Sequence, residues 1–128
     1  MTHCSAKKDD SLKNTRVKVT PDKLYTSTKL LGFVEKCKTE HCKWAIFSDK
    51  YGVWFPNELH QWYDKHPSSV TEAEFEVLKN DFEKKLADFD EIFFYYNPGR
   101  FHPLYNRILN EAKIKGKILK FTHKEKIV

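Results

Sequence analysis

A chain of 128 residues is long enough for one domain with a buried core that needs no disulfide or metal, and 15% aromatic residues exclude a disordered protein. No apolar run approaches the roughly 20 residues that span a bilayer, and the first residues lack the apolar segment of a signal peptide. Three cysteines, an odd number, argue against a secreted disulfide scaffold. We therefore expect one domain over residues 1–128, in the cytoplasm, with no membrane partner.

The net charge of +5 is unevenly distributed along the chain. Residues 1–50 and 101–128 are basic, whereas residues 51–100 are acidic. A lysine-rich surface that is merely solvated explains this pattern. A single basic face, formed where the two ends meet and suited to a polyanion, explains it equally well.

The first half of the chain is predicted to hold two strands and one helix. Residues 5–20 are polar and aperiodic, which indicates a long loop after a very short first strand. Pro21 suits the first turn of a helix, and an apolar stripe continues that helix through Cys37. Residues 43–48 have the composition of a buried strand that ends before Tyr51 and Gly52. Residues 52–68 show no period and predict an ordered loop, with one helical turn over 58–63.

The second half of the chain begins with the clearest helix pattern in the sequence. Thr71 and Glu74 have the spacing of a capping box, and an apolar face follows from Phe75 to Phe89. Residues 91–96 then predict a strand that is buried on both faces. Another helix is predicted from Pro103 to Gly116, and residues 118–121 predict a last strand.

This alternation predicts an α/β fold, a three-layer sandwich around a mostly parallel four-stranded sheet. Ligands of such sheets bind beyond the carboxyl ends of the strands. Three polar segments follow the predicted strands and should converge at that edge; they are HCSAKK, SDKYG and NPGRFH.

Cys4 is the candidate nucleophile of this edge. Cations near a thiol lower its pKa, and Lys7 is close in sequence, while Lys50 follows the second strand. We therefore predict Cys4, Lys7 and Lys50 as catalytic residues. The alternative is that Cys4 is a small buried residue at a strand end. Cys37 and Cys42 could join Cys4 in a metal or redox site, although their spacing is not that of a zinc knuckle.

The predicted binding residues serve an anion and an aromatic ligand. Free amides at the start of the helix after NPGRFH suit a phosphate or carboxylate, so Asn97, Gly99, Arg100 and His102 are predicted to bind it. Downstream of the Tyr51–Gly52 turn, four aromatic side chains form either a stacking platform for bases or part of the core; they are Trp54, Phe55, Trp62 and Tyr63.

Several of these segments together resemble the YaaA-related family of small α/β domains. The resemblance extends over nearly the whole chain through HCSAKK, LYTS, FSDKYGVWFPNELHQWYD and FFYYNPGRFHPLYNRIL. Its first segment is also similar to part of the archaeosine synthase domain. The matching positions are Cys4, Ser5, Lys7, Lys8, Leu24, Tyr25, Ser27, Ser48, Tyr51, Gly52, Pro56, Tyr63, Asp64 and Tyr105.

The resemblance implies a fold like that of uracil-DNA glycosylase in outline and a role in 7-deazaguanine-type base modification. It adds substrate-binding residues to the prediction, namely Ser5, Tyr25, Ser27, Ser48, Tyr51, Gly52 and Tyr63. The implied partner is a nucleic acid, either DNA or transfer RNA.

Three hypotheses follow. The first is a nucleic-acid-directed domain with a base or nucleotide pocket at the carboxyl edge of the strands. The second is a non-catalytic binding module that assists a modifying enzyme. The third is a small metal or redox protein that uses Cys4, Cys37 and Cys42. Whether a reaction is catalysed, and with which cofactor, is open at this stage.

Overall fold

A computed structural model describes residues 1–123 as a mixed α/β fold. The four helices are α1 (Pro21–Leu24), α2 (Thr28–Thr39), α3 (Glu72–Lys85) and α4 (Pro103–Glu111). The seven strands are β1 (Thr2–His3), β2 (Lys18–Val19), β3 (Ile46–Ser48), β4 (Gly52–Trp54), β5 (His60–Gln61), β6 (Glu91–Tyr95) and β7 (Lys117–Phe121). Within this part of the chain, each helix is too short or too polar to cross a membrane.

The main sheet has five strands in the order β4-β3-β1-β6-β7, and it confirms the predicted α/β class. All neighbouring strands are parallel except β3 and β4. The prediction of four strands was therefore wrong by one. The additional strand, β4, forms an antiparallel hairpin with β3 in which Ser48 pairs with Gly52. Its three residues are all buried, so they show no alternation that would have revealed a strand.

A second, two-stranded sheet lies within segments that were predicted to be loops. β2 and β5 are antiparallel, with Lys18 opposite Gln61 and Val19 opposite His60. The predicted helical turn over residues 58–63 is therefore absent. Each strand has only two residues, and the two are far apart in the sequence, so the pairing leaves no local signal.

The helix predicted from Pro21 to Cys37 is divided into α1 and α2. Tyr25 lies in extended backbone between them and forms a bridge with Lys8. Ser27 then caps α2, since its Oγ accepts a hydrogen bond from the Leu30 amide at 3.5 Å. The break at Tyr25 and the cap at Ser27 bring the N-terminus of α2 next to the loop that follows β1.

The capping box at the start of α3 is confirmed. The Glu74 amide donates to Thr71 Oγ1 at 3.2 Å, and the Thr71 amide donates to Glu74 Oε1 at 3.0 Å. The helix predicted to run to Gly116 instead ends at Glu111. A Cβ atom at Gly116 would lie 2.3 Å from the Phe89 carbonyl oxygen, so this glycine permits close approach of two backbones.

Burial on both faces of β6 holds for only part of the strand. Ile92, Phe94 and Tyr95 are buried, but the Phe93 side chain is 52% exposed. Phe33 of α2 stacks on Tyr95 with ring centroids 5.5 Å apart. Phe93 lies two residues before Tyr95 on the same face of the sheet, and Phe33 does not cover it.

The end of α2 offers a direct test of backbone conformation. His41 has a φ of 57°, which is unfavourable for a side chain other than glycine, and it is exposed. We expect His41→Gly to raise the free energy of unfolding by about 1 kcal/mol, measured by urea denaturation. His41→Ala keeps the strained conformation and should give no such gain; an equal gain in both variants would contradict this explanation.

Candidate functional site

A pocket of about 250 Å³ lies at the carboxyl ends of β1, β3 and β6, where the predicted segments were expected to converge. Its walls come from the segments after these strands, from the N-terminal regions of α2 and α4, and from residues 63–67. The lining residues are Thr2, His3, Cys4, Ser5, Ala6, Lys8, Ser27, Lys29, Leu30, Asp49, Tyr63, Lys65, His66, Pro67, Tyr95, Asn97, Arg100, His102 and Tyr105.

Half of the predicted site residues line this pocket. They are Cys4, Ser5, Ser27, Tyr63, Asn97, Arg100 and His102. The structure places the others outside the lining; they are Lys7, Tyr25, Ser48, Lys50, Tyr51, Gly52 and Gly99. Lys7 and Lys50 are both exposed, and Lys50 lies over the Tyr51 ring with its Nζ 5.6 Å from the centroid.

Cys4 is buried among groups that keep its thiol protonated. Its Sγ lies 2.9 Å from the Tyr105 hydroxyl and 3.7 Å from Asp49 Oδ1. Burial, together with the negative charge of Asp49, raises the pKa of the Cys4 thiol to about 11. The predicted lowering of this pKa by lysines is therefore wrong, because a carboxyl group and not a cation is the charged neighbour. At neutral pH the thiol is a hydrogen-bonding group rather than a thiolate.

Asp49 is the functional residue that the sequence interpretation missed. It follows β3, is almost completely buried, and is the only carboxylate among the pocket-lining residues. Burial raises the pKa of this carboxyl group, while a hydrogen bond with Tyr63 and the charge of Lys8 oppose that increase. Its position in SDKYG, directly after a strand, was the available signal, although the residues predicted in that segment included Lys50 and Tyr51 but not Asp49.

Tyr25 and Ser48 lie behind the pocket and fix the position of Tyr63. The Tyr25 and Tyr63 hydroxyl oxygens are 2.6 Å apart, and Ser48 Oγ donates to the Tyr63 hydroxyl at 3.1 Å. Ser48 Oγ also accepts from the amides of Lys50 and Tyr51 in the hairpin turn. These two predicted binding residues therefore orient a lining side chain instead of facing the cavity.

His3 joins the end of β1 to the loop at Asn97. Its Nδ1 is 3.1 Å from the Cys4 carbonyl oxygen, which can only accept, so Nδ1 carries the proton. The Nε2 atom then accepts from the Asn97 amide at 3.5 Å. Burial lowers the pKa of His3, which agrees with a neutral ring. The ring also stacks on Tyr105, with centroids 5.5 Å apart, and so forms part of an aromatic wall.

The charge of the pocket lining is strongly positive. Four cationic side chains line it, namely Lys8, Lys29, Lys65 and Arg100, against the single carboxylate of Asp49. Lys65 is paired with Glu74 at 2.8 Å. Within residues 1–123, neither Lys29 nor Arg100 forms an ion pair with a carboxylate. Unpaired cations beside the N-termini of α2 and α4 make this a suitable place for an anionic group.

The predicted stacking platform is divided by the fold. Trp54 is completely buried and donates from Nε1 to the Glu58 carbonyl, so it belongs to the core. Trp62 is half-buried and does not line the pocket, whereas Tyr63 does. The aromatic rings that line the cavity are those of His3, Tyr63, His66, Tyr95, His102 and Tyr105.

Metal-ligating side chains are not clustered in the part of the chain that the structure describes, where no group of three or more His, Cys, Asp or Glu could hold an ion. Cys37 and Cys42 lie at the C-terminal end of α2, while Cys4 lies in the pocket. Neither a known protein family nor a curated protein or solved structure matches this chain. The resemblance to the YaaA-related family therefore stays a hypothesis that depends on the motifs quoted above.

Proposed function

We propose that the pocket binds a base with its phosphate, presented by a nucleic acid, in the metabolism of modified bases of the 7-deazaguanine type. The observation that carries this proposal is the combination of unpaired cations and aromatic walls in one pocket. Cations suit a phosphate, and aromatic rings suit the face of a base. The small volume of about 250 Å³ suits a single base-sized group rather than a duplex.

The proposed arrangement assigns the two ends of the ligand to two parts of the pocket. Arg100 and Lys29 bind the phosphate beside the N-termini of α4 and α2. The Asp49 carboxyl group and the Cys4 thiol lie together at the buried part and hydrogen-bond to the edge of the base. Any proton transfer is assigned to Asp49, because it lines the cavity and burial raises the pKa of its carboxyl group towards neutral pH.

The proposal includes a three-layer arrangement similar in outline to uracil-DNA glycosylase. Its support is the aromatic contacts on the sheet: Phe33 of α2 packs on Tyr95, whereas Phe82 of α3 packs on Phe47. Tyr105 of α4 also contacts Phe47. We place the protein in the cytoplasm, where reduced thiols are usual.

A non-catalytic module that assists a modifying enzyme is the second candidate. One observation favours it: Cys4 is a neutral, buried thiol bonded to Tyr105, which suits binding better than nucleophilic attack. In this case the pocket would hold the base for a partner enzyme. Retention of nucleic-acid binding with no change in the bound base would favour this candidate.

Removal of the Arg100 charge tests the proposal. We expect Arg100→Ala to weaken binding of single-stranded DNA or transfer RNA about tenfold at low salt, because one direct phosphate contact is lost. The measurement is a titration followed by fluorescence anisotropy across a salt series. The slope of log affinity against log salt concentration should become less steep by about one, which corresponds to the loss of one phosphate contact.

Lys84→Ala is the matched control for this experiment. Lys84 is exposed in the last turn of α3, at the opposite end of that helix from Glu74 and its partner Lys65. The variant removes the same charge from the protein but not from the pocket, so binding should change little. Equal weakening in both variants would mean that net charge, and not this pocket, attracts the nucleic acid.

A further inference from the structure

The last turn of α2 places two cysteines at the two ends of one backbone motif. The His41 amide donates to the Lys38 carbonyl at 3.2 Å, and the Cys42 amide donates to the Cys37 carbonyl at 2.9 Å. With the positive φ of His41, these two bonds define a Schellman motif. Side chains at the positions of Cys37 and Cys42 are commonly in contact in this motif.

The two thiols differ in access. Cys37 is buried on the apolar face of α2, whereas Cys42 is only half-buried. Burial raises the pKa of Cys37 to about 11, the ammonium group of Met1 opposes this increase, and the nearby Cys42 thiol adds to it. A dissolved reagent therefore reaches Cys42 first, and Cys37 is the neighbour that can react next.

We propose that Cys37 and Cys42 are a modification site, a dithiol that a small-molecule disulfide oxidises to an intramolecular disulfide. A disulfide needs Cα atoms about 4.4–6.8 Å apart. Covalent bond lengths and the 2.9 Å hydrogen bond from the Cys42 amide to the Cys37 carbonyl together limit the separation of the two Cα atoms to about 6.8 Å. The motif therefore holds the two residues at a separation that a disulfide can bridge.

The reaction is two successive exchanges. The Cys42 thiolate attacks one sulfur of the reagent, and the first reagent thiolate leaves. The Cys37 thiolate then attacks the Cys42 sulfur, and the second reagent thiolate leaves with the pair of electrons from the broken bond. The protons of the two cysteines end on the two reagent thiols, so the protein is oxidised by two electrons and the reagent is reduced by two. Proximity compensates for the high pKa of Cys37.

This site is independent of the proposed function. The residues of α2 that line the pocket are at its N-terminal end, namely Lys29 and Leu30, whereas both cysteines are at its C-terminal end. Cys4, the third thiol, lies in the pocket and is bonded to Tyr105. Oxidation of α2 therefore neither requires nor tests nucleic-acid binding.

The test is treatment of the folded, full-length chain with oxidised glutathione, followed by alkylation and mass spectrometry. Before alkylation, we expect the intact mass to be lower than that of the reduced chain by two hydrogen atoms. Trypsin should then release a cross-linked pair of peptides, CK and TEHCK, because Lys36, Lys38 and Lys43 flank the two cysteines. Added dithiothreitol should restore the original mass.

Cys4→Ser is the matched control and should give the same cross-linked pair. Cys42→Ser should lose it. The wild-type chain alone can overturn the proposal, so the result does not depend on the folding of a variant. A glutathione adduct that persists on Cys42, a cross-link to Cys4, or an unchanged mass would each contradict it.

Discussion

Gly52→Ala is expected to destabilise the protein by about 3 kcal/mol. Gly52 has a φ of 75°, where an alanine costs about 1–2 kcal/mol. A Cβ atom there would also lie 2.1 Å from Asp81 Oδ2. That oxygen accepts a hydrogen bond from the Val53 amide at 2.8 Å, so Asp81 cannot move away without breaking it. The loss of this bond adds about 1 kcal/mol or more.

Urea denaturation measures this effect, with Gly99→Ala as the control. The nearest atom to a Cβ at Gly99 is Asn97 Oδ1 at 3.9 Å, which is an ordinary contact. We expect a change within about 0.5 kcal/mol for this variant. Both glycines were predicted to bind substrate, but the structure gives Gly52 a role in the hairpin. Similar losses for the two variants would contradict the explanation from backbone conformation.

Asp49→Asn is expected to stabilise the protein by about 1–2 kcal/mol at neutral pH. The Asp49 carboxyl group is almost completely buried, and burial raises its pKa above the ordinary value of 3.8. The folded state therefore disfavours the charged form relative to the unfolded state. Asparagine has the same shape and retains Oδ1 as an acceptor for the Cys4 thiol, but it has no charge to bury.

The difference in stability between the wild-type protein and Asp49→Asn should depend on pH. Because the folded-state pKa is raised, the contribution of Asp49 to stability is fully present below pH 3.8 and is lost as the pH rises through the folded-state value. The two proteins should therefore be similar in stability at pH 3 to 4, and Asp49→Asn should be more stable above this range. Thermal denaturation at several pH values measures the difference.

Asp88→Asn is the control, since Asp88 is exposed near the end of α3 and the same change there should have little effect. If Asp49→Asn is less stable at pH 7, the hydrogen bond from Tyr63 to the charged carboxylate outweighs its burial. Under the proposed function the stabilised variant should also bind nucleic acid with altered affinity, because Asp49 faces the base. A residue that destabilises the fold but lines the cavity is typical of a functional site.

Short sequence patterns correctly predicted the elements that are stabilised by residues close together in the sequence. The capping box of α3 needs only Thr71 and Glu74, three residues apart, and it is present as predicted. The edge of the sheet where the pocket lies was also predictable. It follows from the alternation of strands and helices, because parallel strands place their carboxyl ends together.

Pairings between distant residues could not be predicted in this way. The partners in β2 and β5 are separated by some 40 residues, and neither two-residue strand has a pattern of its own. The environment of Cys4 could not be predicted for the same reason. Its neighbours Asp49 and Tyr105 are 45 and 101 residues away, so the nearby lysines in the sequence pointed to the wrong pKa shift.

The sequence by itself determined the α/β class, the capped helix α3 and three of the segments that line the pocket. Hydrophobic periodicity and helix capping depend on residues within one or two helical turns of each other, so the sequence of a short segment reveals them. Only the tertiary structure decided that Asp49 faces the pocket, that Lys7 and Lys50 do not line it, and that Gly52 serves a hairpin. Burial and charge act through space, and burial against distant residues sets the protonation of Cys4 and Asp49.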